Sequence, residues 1–305
     1  MTEISVKIRK LRKIYDGKVE ALKGINLDIP KGSFFGLLGP NGAGKTTAIG
    51  IMTGLVNITS GSVEVMGHDV IKDYKKSRRL IGLSPQELNF DVFFPIKDVL
   101  ALNAGYYGLS NKDAYERADI MLEKFGLTEK AKNTARELSG GMKRRVQIAK
   151  ALVHDPEVLI LDEPTAGVDI ELRHMLWDYL KEINNNGKTI ILTTHYIEEA
   201  EALCNEVAII NDGEIIKQDA PANLINMLGN NKIMVRINTK NKSPDLSPFD
   251  YKVEDNLVEF STKDPSRDLP KIISKLNENS IDILEINTSK SSLEEVFVKL
   301  TNNKL

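Results

Sequence analysis

Residues 39–46 read Gly-Pro-Asn-Gly-Ala-Gly-Lys-Thr, the spacing G-x-x-x-x-G-K-T. Glycines at this density let the backbone take dihedrals closed to other residues and turn its N–H groups inward. The run Gly39, Pro40, Asn41, Gly42, Ala43 and Gly44 is therefore a cradle for phosphate oxygens. Lys45 supplies a point charge for β- and γ-phosphates, Thr46 offers a hydroxyl to Mg²⁺, and Thr47 is placed to assist the α-phosphate. Farther along, the apolar run Val158-Leu159-Ile160-Leu161 ends in two carboxylates, Asp162 and Glu163. One acid can serve a metal and the other a water. Asp162 reads as a Mg²⁺ holder acting through the metal's shell, and Glu163 as the general base that polarises an attacking water. The chemistry these residues suit is phosphoryl transfer from a nucleoside triphosphate to water.

Such a constellation needs elements that aim it. Phe34-Phe35-Gly36-Leu37-Leu38 reads as a buried strand running into the glycine loop, and the residues from Lys45 to Met52 have helical character. The helix start directs its positive end at the same phosphates. Val158–Leu161 and Thr189-Ile190-Ile191-Leu192 are continuous apolar runs, the mark of parallel strands covered on both faces. A helix from about Glu171 to Ile183 separates them. A strand ending in acids puts those acids where an open α/β sheet presents its ligand crevice. From Lys112 to Phe125, apolar residues recur at helical spacing, and a further helix is predicted after Gly141. Glu206–Ile210, the turn Asn211-Asp212-Gly213 and Glu214–Lys217 read as a hairpin. This alternation implies an α/β layered core.

The first domain is predicted to span residues 1–228. Gly229-Asn230-Asn231-Lys232 reads as a linker, and residues 229–305 as a small α+β accessory domain. In that tail Leu293, Val296, Phe297 and Leu300 share one helix face.

Composition narrows the function classes. Of 305 residues 41% are hydrophobic and 28% charged, an ordinary globular balance, and the longest apolar runs fall far short of the ~20 residues that span a bilayer. The N-terminal residues lack the features of a secretory signal, so a cytoplasmic location is expected. The single cysteine, Cys204, excludes an internal disulfide and reads as a small buried hydrophobe. The basic runs Arg9–Lys13, Lys75–Arg79 and Lys143–Arg145 read as solvated faces. With a net charge of −2 and no interleaved aromatics, no nucleic-acid partner is expected. His68, His154 and His174 read as structural.

Leu138-Ser139-Gly140-Gly141-Met142 resembles the signature loop of ATP-binding-cassette (ABC) ATPases. Physically it is a second anion site, in which Ser139 and the amides of Gly140 and Gly141 open a helix. The resemblance implies that the γ-phosphate bound there belongs to the ATP of a partner subunit. It further assigns Gln86 as the residue sensing Mg²⁺ and water, Asp169 as a contact across a dimer, and His195 as the switch histidine. It also assigns Tyr15 as the aromatic that stacks on adenine. Met142 departs from the commonest signature, which has glutamine there. Ala166-Gly167-Val168 before Asp169 is a second departure.

The resemblance thus implies a P-loop ABC ATPase domain with a mostly parallel sheet core, an antiparallel β subdomain and a helical subdomain. It implies a homodimer with two ATPs between its subunits, docked on an integral-membrane permease, with Asn89, Phe90 and Phe93 as the expected docking segment. Ser292–Phe297 resembles the ending found in exporter ATPases of the drug-resistance type. A phosphate-loop GTPase is excluded, because Asn111-Lys112-Asp113-Ala114 does not fit the guanine-reading N-K-x-D.

Overall fold

The computed structural model of the chain describes residues 3–89, 91–165, 168, 170–228, 231–238, 246–262, 264–279, 281–289 and 292–302. Two compact units emerge, Met1–Ala220 and Pro221–Leu305.

In chain order the first unit contains β1 (Ile4–Tyr15), β2 (Val19–Pro30), β3 (Phe34–Leu38), α1 (Lys45–Met52), β4 (Ser60–Val65), β5 (His68–Asp69), α2 (Tyr74–Arg79) and β6 (Ile81–Ser84). It continues with α3 (Ile96–Tyr106), α4 (Asn111–Lys124), α5 (Gly140–Leu152), β7 (Val158–Asp162), α6 (Ile170–Asn185), β8 (Thr189–Thr194), α7 (Ile197–Leu203), β9 (Glu206–Asn211) and β10 (Glu214–Asp219).

Two sheets result. One is antiparallel, in the order β2-β1-β4-β5; the other runs β10-β9-β3-β8-β7-β6. In the second, only β10 is antiparallel to its neighbour. Every residue of β3, β7 and β8 is buried, as the apolar runs within them require of strands covered on both faces. Ile8 and Leu11 of β1, Leu22 and Ile29 of β2, Ile49 and Met52 of α1, Ile160 of β7 and Ile191 of β8 belong to one buried cluster, so both sheets and α1 share a core. Helices α3, α4 and α5 pack on one another as a helical layer. Ala114, Ala118, Met121 and Leu122 form the buried face of α4, and Ser110 caps its start by accepting a hydrogen bond from the Asp113 amide.

The parallel register decides where the chemistry falls. Leu38 of β3 aligns with Thr194 of β8, Asp162 of β7 with Thr193, and Ser84 of β6 with Leu161. The chain positions just past these ends are Gly39, His195, Glu163 and Pro85-Gln86. Four residues or loops far apart in sequence therefore meet along one edge of the sheet, at its carboxyl ends.

The second unit opens with α8 (Pro221–Leu228) and contains β11 (Asn231–Asn238), β12 (Asp250–Glu254), β13 (Leu257–Thr262), α9 (Pro265–Glu278), β14 (Asp282–Ser289) and α10 (Leu293–Asn302). Its antiparallel sheet runs β12-β13-β11-β14. Ile233, Val235 and Ile237 of β11, Val258 and Phe260 of β13, and Ile272 and Leu276 of α9 form its core.

Two boundaries differ from the sequence reading. The division falls at Ala220/Pro221 rather than after residue 228, because α8 packs on α10 and so belongs with the second unit. Asn231 and Lys232 open β11 instead of linking domains. Lys232 is held by Glu259 and Glu295, each at 3.1 Å. Leu293 and Val296 are buried on α10, as their spacing predicts. No helix among the described residues is long and apolar enough to cross a membrane.

Candidate functional site

The glycine loop is fixed by close backbone approach. A Cβ at Gly39 would lie 2.3 Å from the Ile210 carbonyl oxygen, and one at Gly44, whose φ is +109°, would lie 2.7 Å from the Ala21 oxygen. Only glycine fits either place. Lys45 is 6% exposed, and its Nζ donates to the carbonyls of Gly39 at 2.7 Å and Pro40 at 3.1 Å. Burial lowers the pKa of this ammonium group, while Glu163 and Asp162 pull it back up.

A cavity of about 140 Å³ opens beside the loop, lined by Asn41, Gly42, Gly44, Lys45, Thr46, Thr47, Gln86, Asp162 and Glu163. It is smaller than the roughly 300–1,000 Å³ of pockets that enclose a whole small molecule. Its size suits phosphates and leaves a nucleoside outside. Tyr15, at the end of β1, is not one of the lining residues. The residue is 39% exposed and its hydroxyl is 3.5 Å from Thr47 Oγ1.

Asp162 and Glu163 line the same cavity. Asp162 Oδ1 accepts a short hydrogen bond from Thr193 Oγ1 on the neighbouring strand. Glu163 is only 8% exposed and has φ +49°, a left-handed conformation unusual for a residue with a side chain. This bend is pinned by the Glu163 amide donating to the Thr193 carbonyl at 3.0 Å. Glu163 Oε2 then receives Gln86 Nε2 at 2.9 Å and lies 3.2 Å from His195 Nδ1. Two residues named from sequence, Gln86 and His195, thus converge on one carboxylate oxygen of a third, Glu163. Thr46, Gln86 and Asp162 offer oxygen donors in the same cavity. A hard cation such as Mg²⁺ takes such donors, completing its sphere with water and substrate phosphate.

The helical layer holds this wall in place. Buried Arg144 donates to the carbonyls of Pro85 and Gln86 through Nη1, at 3.2 and 3.1 Å, and to that of Glu163 through Nη2 at 3.2 Å. Gln147 Nε2 donates to the carbonyls of Pro85 and Glu87. The reading of Lys143–Arg145 as a solvated face is therefore corrected. Arg144 is 5% exposed, and Arg145 Nη1 donates to the Phe125 carbonyl at 2.8 Å. Burial lowers the pKa of the Arg144 guanidinium, and Glu163 and Asp162 counteract it. The i, i+3 spacing of Arg144 and Gln147 was a sequence signal of a shared helix face. Replacing Arg144 with methionine strands these carbonyls and is expected to cost about 1–3 kcal/mol of stability. Hydrolysis is expected to fall further than ATP affinity, as denaturant unfolding and steady-state kinetics would show.

Ser139, Gly140 and Gly141 lie elsewhere. Ser139 caps α5, its Oγ accepting from the Met142 amide at 3.3 Å. That bond uses the backbone of Met142, so its side chain is not needed for the cap. Ser139 and Gly140 are exposed, and none of the three lines the cavity.

A larger groove, about 670 Å³, is lined by Leu55, Tyr74, Arg78, Leu83, Tyr106 and Tyr107 among others. Asn89 is exposed and Phe93 is 75% exposed, but neither lines that groove. Phe90, Ala166, Gly167 and Asp169 lie outside the described residues. His154 is structural in its contacts: it stacks on Tyr107 with ring centroids 3.5 Å apart, and burial pushes its pKa down to about 4. Cys204 is buried, which raises its thiol pKa.

Residues 22–166 match the family model described as ABC transporter. The chain is 35% identical to the linearmycin resistance ATP-binding protein LnrL of Bacillus subtilis, across 97% of each. It is 36% identical to the Nod factor export ATP-binding protein I of Cupriavidus metallidurans, across 100% of this chain and 99% of the relative. Among solved structures it is similar to the dimeric post-hydrolysis state of the ATP-binding cassette MJ0796 bound to ADP and Pi. That likeness has a TM-score of 0.65 at 29% identity, covering 70% of this chain and 98% of the other.

Proposed function

The chain belongs to the ATP-binding subunits of ABC transporters, and from that premise we propose that it works as a homodimer powering a separate membrane permease for export. One observation carries this reading. The Lys45 cavity gathers the glycine loop, Thr46, Gln86, Asp162 and Glu163, while the chain's own Ser139 loop stands exposed and does not line it. A second copy, placed head to tail, brings its Ser139 and the amides of Gly140 and Gly141 to the γ-phosphate.

In this reading ATP lies with its phosphates in the amide cradle of residues 39–44 and its adenine on Tyr15. Lys45 leaves the Gly39 and Pro40 carbonyls for the β- and γ-phosphates, and Thr47 meets the α-phosphate. Thr46, Gln86 and Asp162 would hold Mg²⁺, which when bound neutralises phosphate charge. Glu163 accepts a proton from the attacking water on Oε1, because Gln86 and His195 already engage Oε2. With His195 Nδ1–H directed at Glu163, Nε2 is left for a γ-phosphate oxygen, as a donor when the ring is protonated. Binding closes the dimer, and hydrolysis with loss of phosphate reopens it.

The 670 Å³ groove and, apart from it, the exposed Phe93 support docking of the permease. This would place the protein at the cytoplasmic face of the membrane. The relatives' names, linearmycin resistance and Nod factor export, support the outward direction.

The test is affinity purification of tagged Glu163→Gln protein from detergent-solubilised membranes with Mg·ATP. A multispanning protein is expected to co-purify, and Tyr106→Asp in the groove is expected to release it while ATP binding persists. Recovery of a ribosomal or nucleic-acid partner without any membrane protein would overturn the transport reading.

A further inference from the structure

Glu199 is a carboxylate 1% exposed on α7, four residues after the switch histidine. Its Oε1 accepts two hydrogen bonds, from Thr165 Oγ1 and from Trp177 Nε1, each at 3.0 Å. Thr165 lies two residues after Glu163, and Trp177 is on α6. Among the described residues, the second oxygen of Glu199 has no hydrogen-bond partner. Burying a carboxylate in this way is costly, and it needs a compensating role.

The covalent and non-covalent links form a closed ring. From Glu163 the chain runs through Pro164 to Thr165, and Thr165 is tied to Glu199. From there the chain returns through Tyr196 to His195, whose ring meets the Glu163 carboxylate at 3.2 Å. The return path is short and braced. The Glu199 amide donates to the Tyr196 carbonyl at 3.0 Å, and the Tyr196 amide donates to Thr194 Oγ1 at 3.0 Å. Helix α6 grips the same turn a second time, with the Arg173 guanidinium 4.9 Å from the Tyr196 ring. Glu199 thus ties α7 to Thr165 and to α6, and the turn from Thr194 to Glu199 connects that tie to His195.

We propose that Glu199 is a positioning residue for ATP hydrolysis: by holding Thr165 and Trp177 on one oxygen, it fixes how close His195 stands to the Glu163 carboxylate. The proposal rests on the roles given above to Glu163 and His195.

The test compares full-length Glu199→Gln, Glu199→Ala and Thr165→Val with the unaltered chain and with Glu163→Gln. The readouts are kcat, KM for ATP, thermal melting and the emission of Trp177, the chain's only tryptophan. Glutamine keeps a carbonyl oxygen for both donors, so Glu199→Gln is expected to stay within about threefold of the original kcat. Alanine leaves both donors without an acceptor. At temperatures where the variant remains folded, kcat is expected to fall about 10- to 100-fold with KM nearly unchanged, and the Trp177 emission maximum to move. Thr165→Val removes one bond and is expected to give an intermediate kcat with Trp177 emission retained.

The proposal is overturned if Glu199→Ala hydrolyses ATP at the original rate while Glu163→Gln is inactive. It is equally overturned if Glu199→Gln is as slow as Glu199→Ala, or if kcat and ATP binding fall together. Should the alanine variant fail to fold, an original kcat in Thr165→Val is the overturning result. Undiminished hydrolysis by Glu163→Gln is a separate failure, of the site assignment itself.

Discussion

Glu163→Gln is expected to lower the rate of ATP hydrolysis by about 10²- to 10⁴-fold, the range a positioned general base contributes. ATP binding is expected to survive. The substitution keeps the side chain's size and one oxygen, so contacts with Gln86 Nε2 and His195 Nδ1 can persist, but an amide cannot take a proton from water. It also removes a negative charge from the wall facing the phosphates, which favours the bound triphosphate. Single-turnover hydrolysis and equilibrium binding of ATP separate the two effects. Gel filtration with Mg·ATP is expected to show the variant as a persistent dimer, since hydrolysis is the step that reopens it. Multiple turnover near the original rate would remove Glu163 from the role of base.

Lys45→Ala is expected to act on the other side of that division, on binding before chemistry. Charged hydrogen bonds contribute roughly 1.5–3 kcal/mol each, so ATP affinity is expected to fall about 10- to 150-fold. Hydrolysis and ATP-dependent dimerisation are lost with it at ordinary nucleotide concentrations. The cradle's amides remain, because the glycine loop is set by backbone contacts with Ile210 and Ala21 rather than by the lysine. Lys45→Arg is not expected to rescue, because its planar guanidinium does not fit where a compact ammonium sits between two carbonyls. Calorimetric titration with a non-hydrolysable ATP analogue checks this. A dissociation constant within about twofold of the original would sink the assignment.

What the sequence made legible was local. The glycine loop, its strand and its helix are contiguous, so their type and order follow from composition and period alone. The same holds for β7 with its terminal acids and for β8, whose apolar runs require burial on both faces. Less legible were β1, where basic residues interrupt the apolar ones, β4, which opens Ser-Gly-Ser, and the short β12 of the second unit. The contacts that hold the site together were hidden for a different reason. Arg144 reaches back 58 and 59 residues to the carbonyls of Gln86 and Pro85, and Thr165 pairs with Glu199 across 34. No local period encodes such pairs. A basic triplet on a helix looks solvated until the neighbouring loop is known to cover it. The resemblance supplied roles for Gln86 and His195 that their own surroundings in sequence could not. The fold explains that gap, because both stand at strand ends brought together only by the parallel register.

The separation between the Ser139 loop and the Lys45 cavity has a consequence for inheritance. If each working site is assembled from two chains, a chain faulty in one half still forms one complete site when paired with a sound chain, so such a fault is expected to be partial, not dominant, when both are expressed. The same reasoning covers two copies faulty in opposite halves. A chain lacking Lys45 and a chain lacking a usable Ser139 loop pair to give one site with both defects and one with neither. The two alleles, each inactive alone, would restore partial activity together.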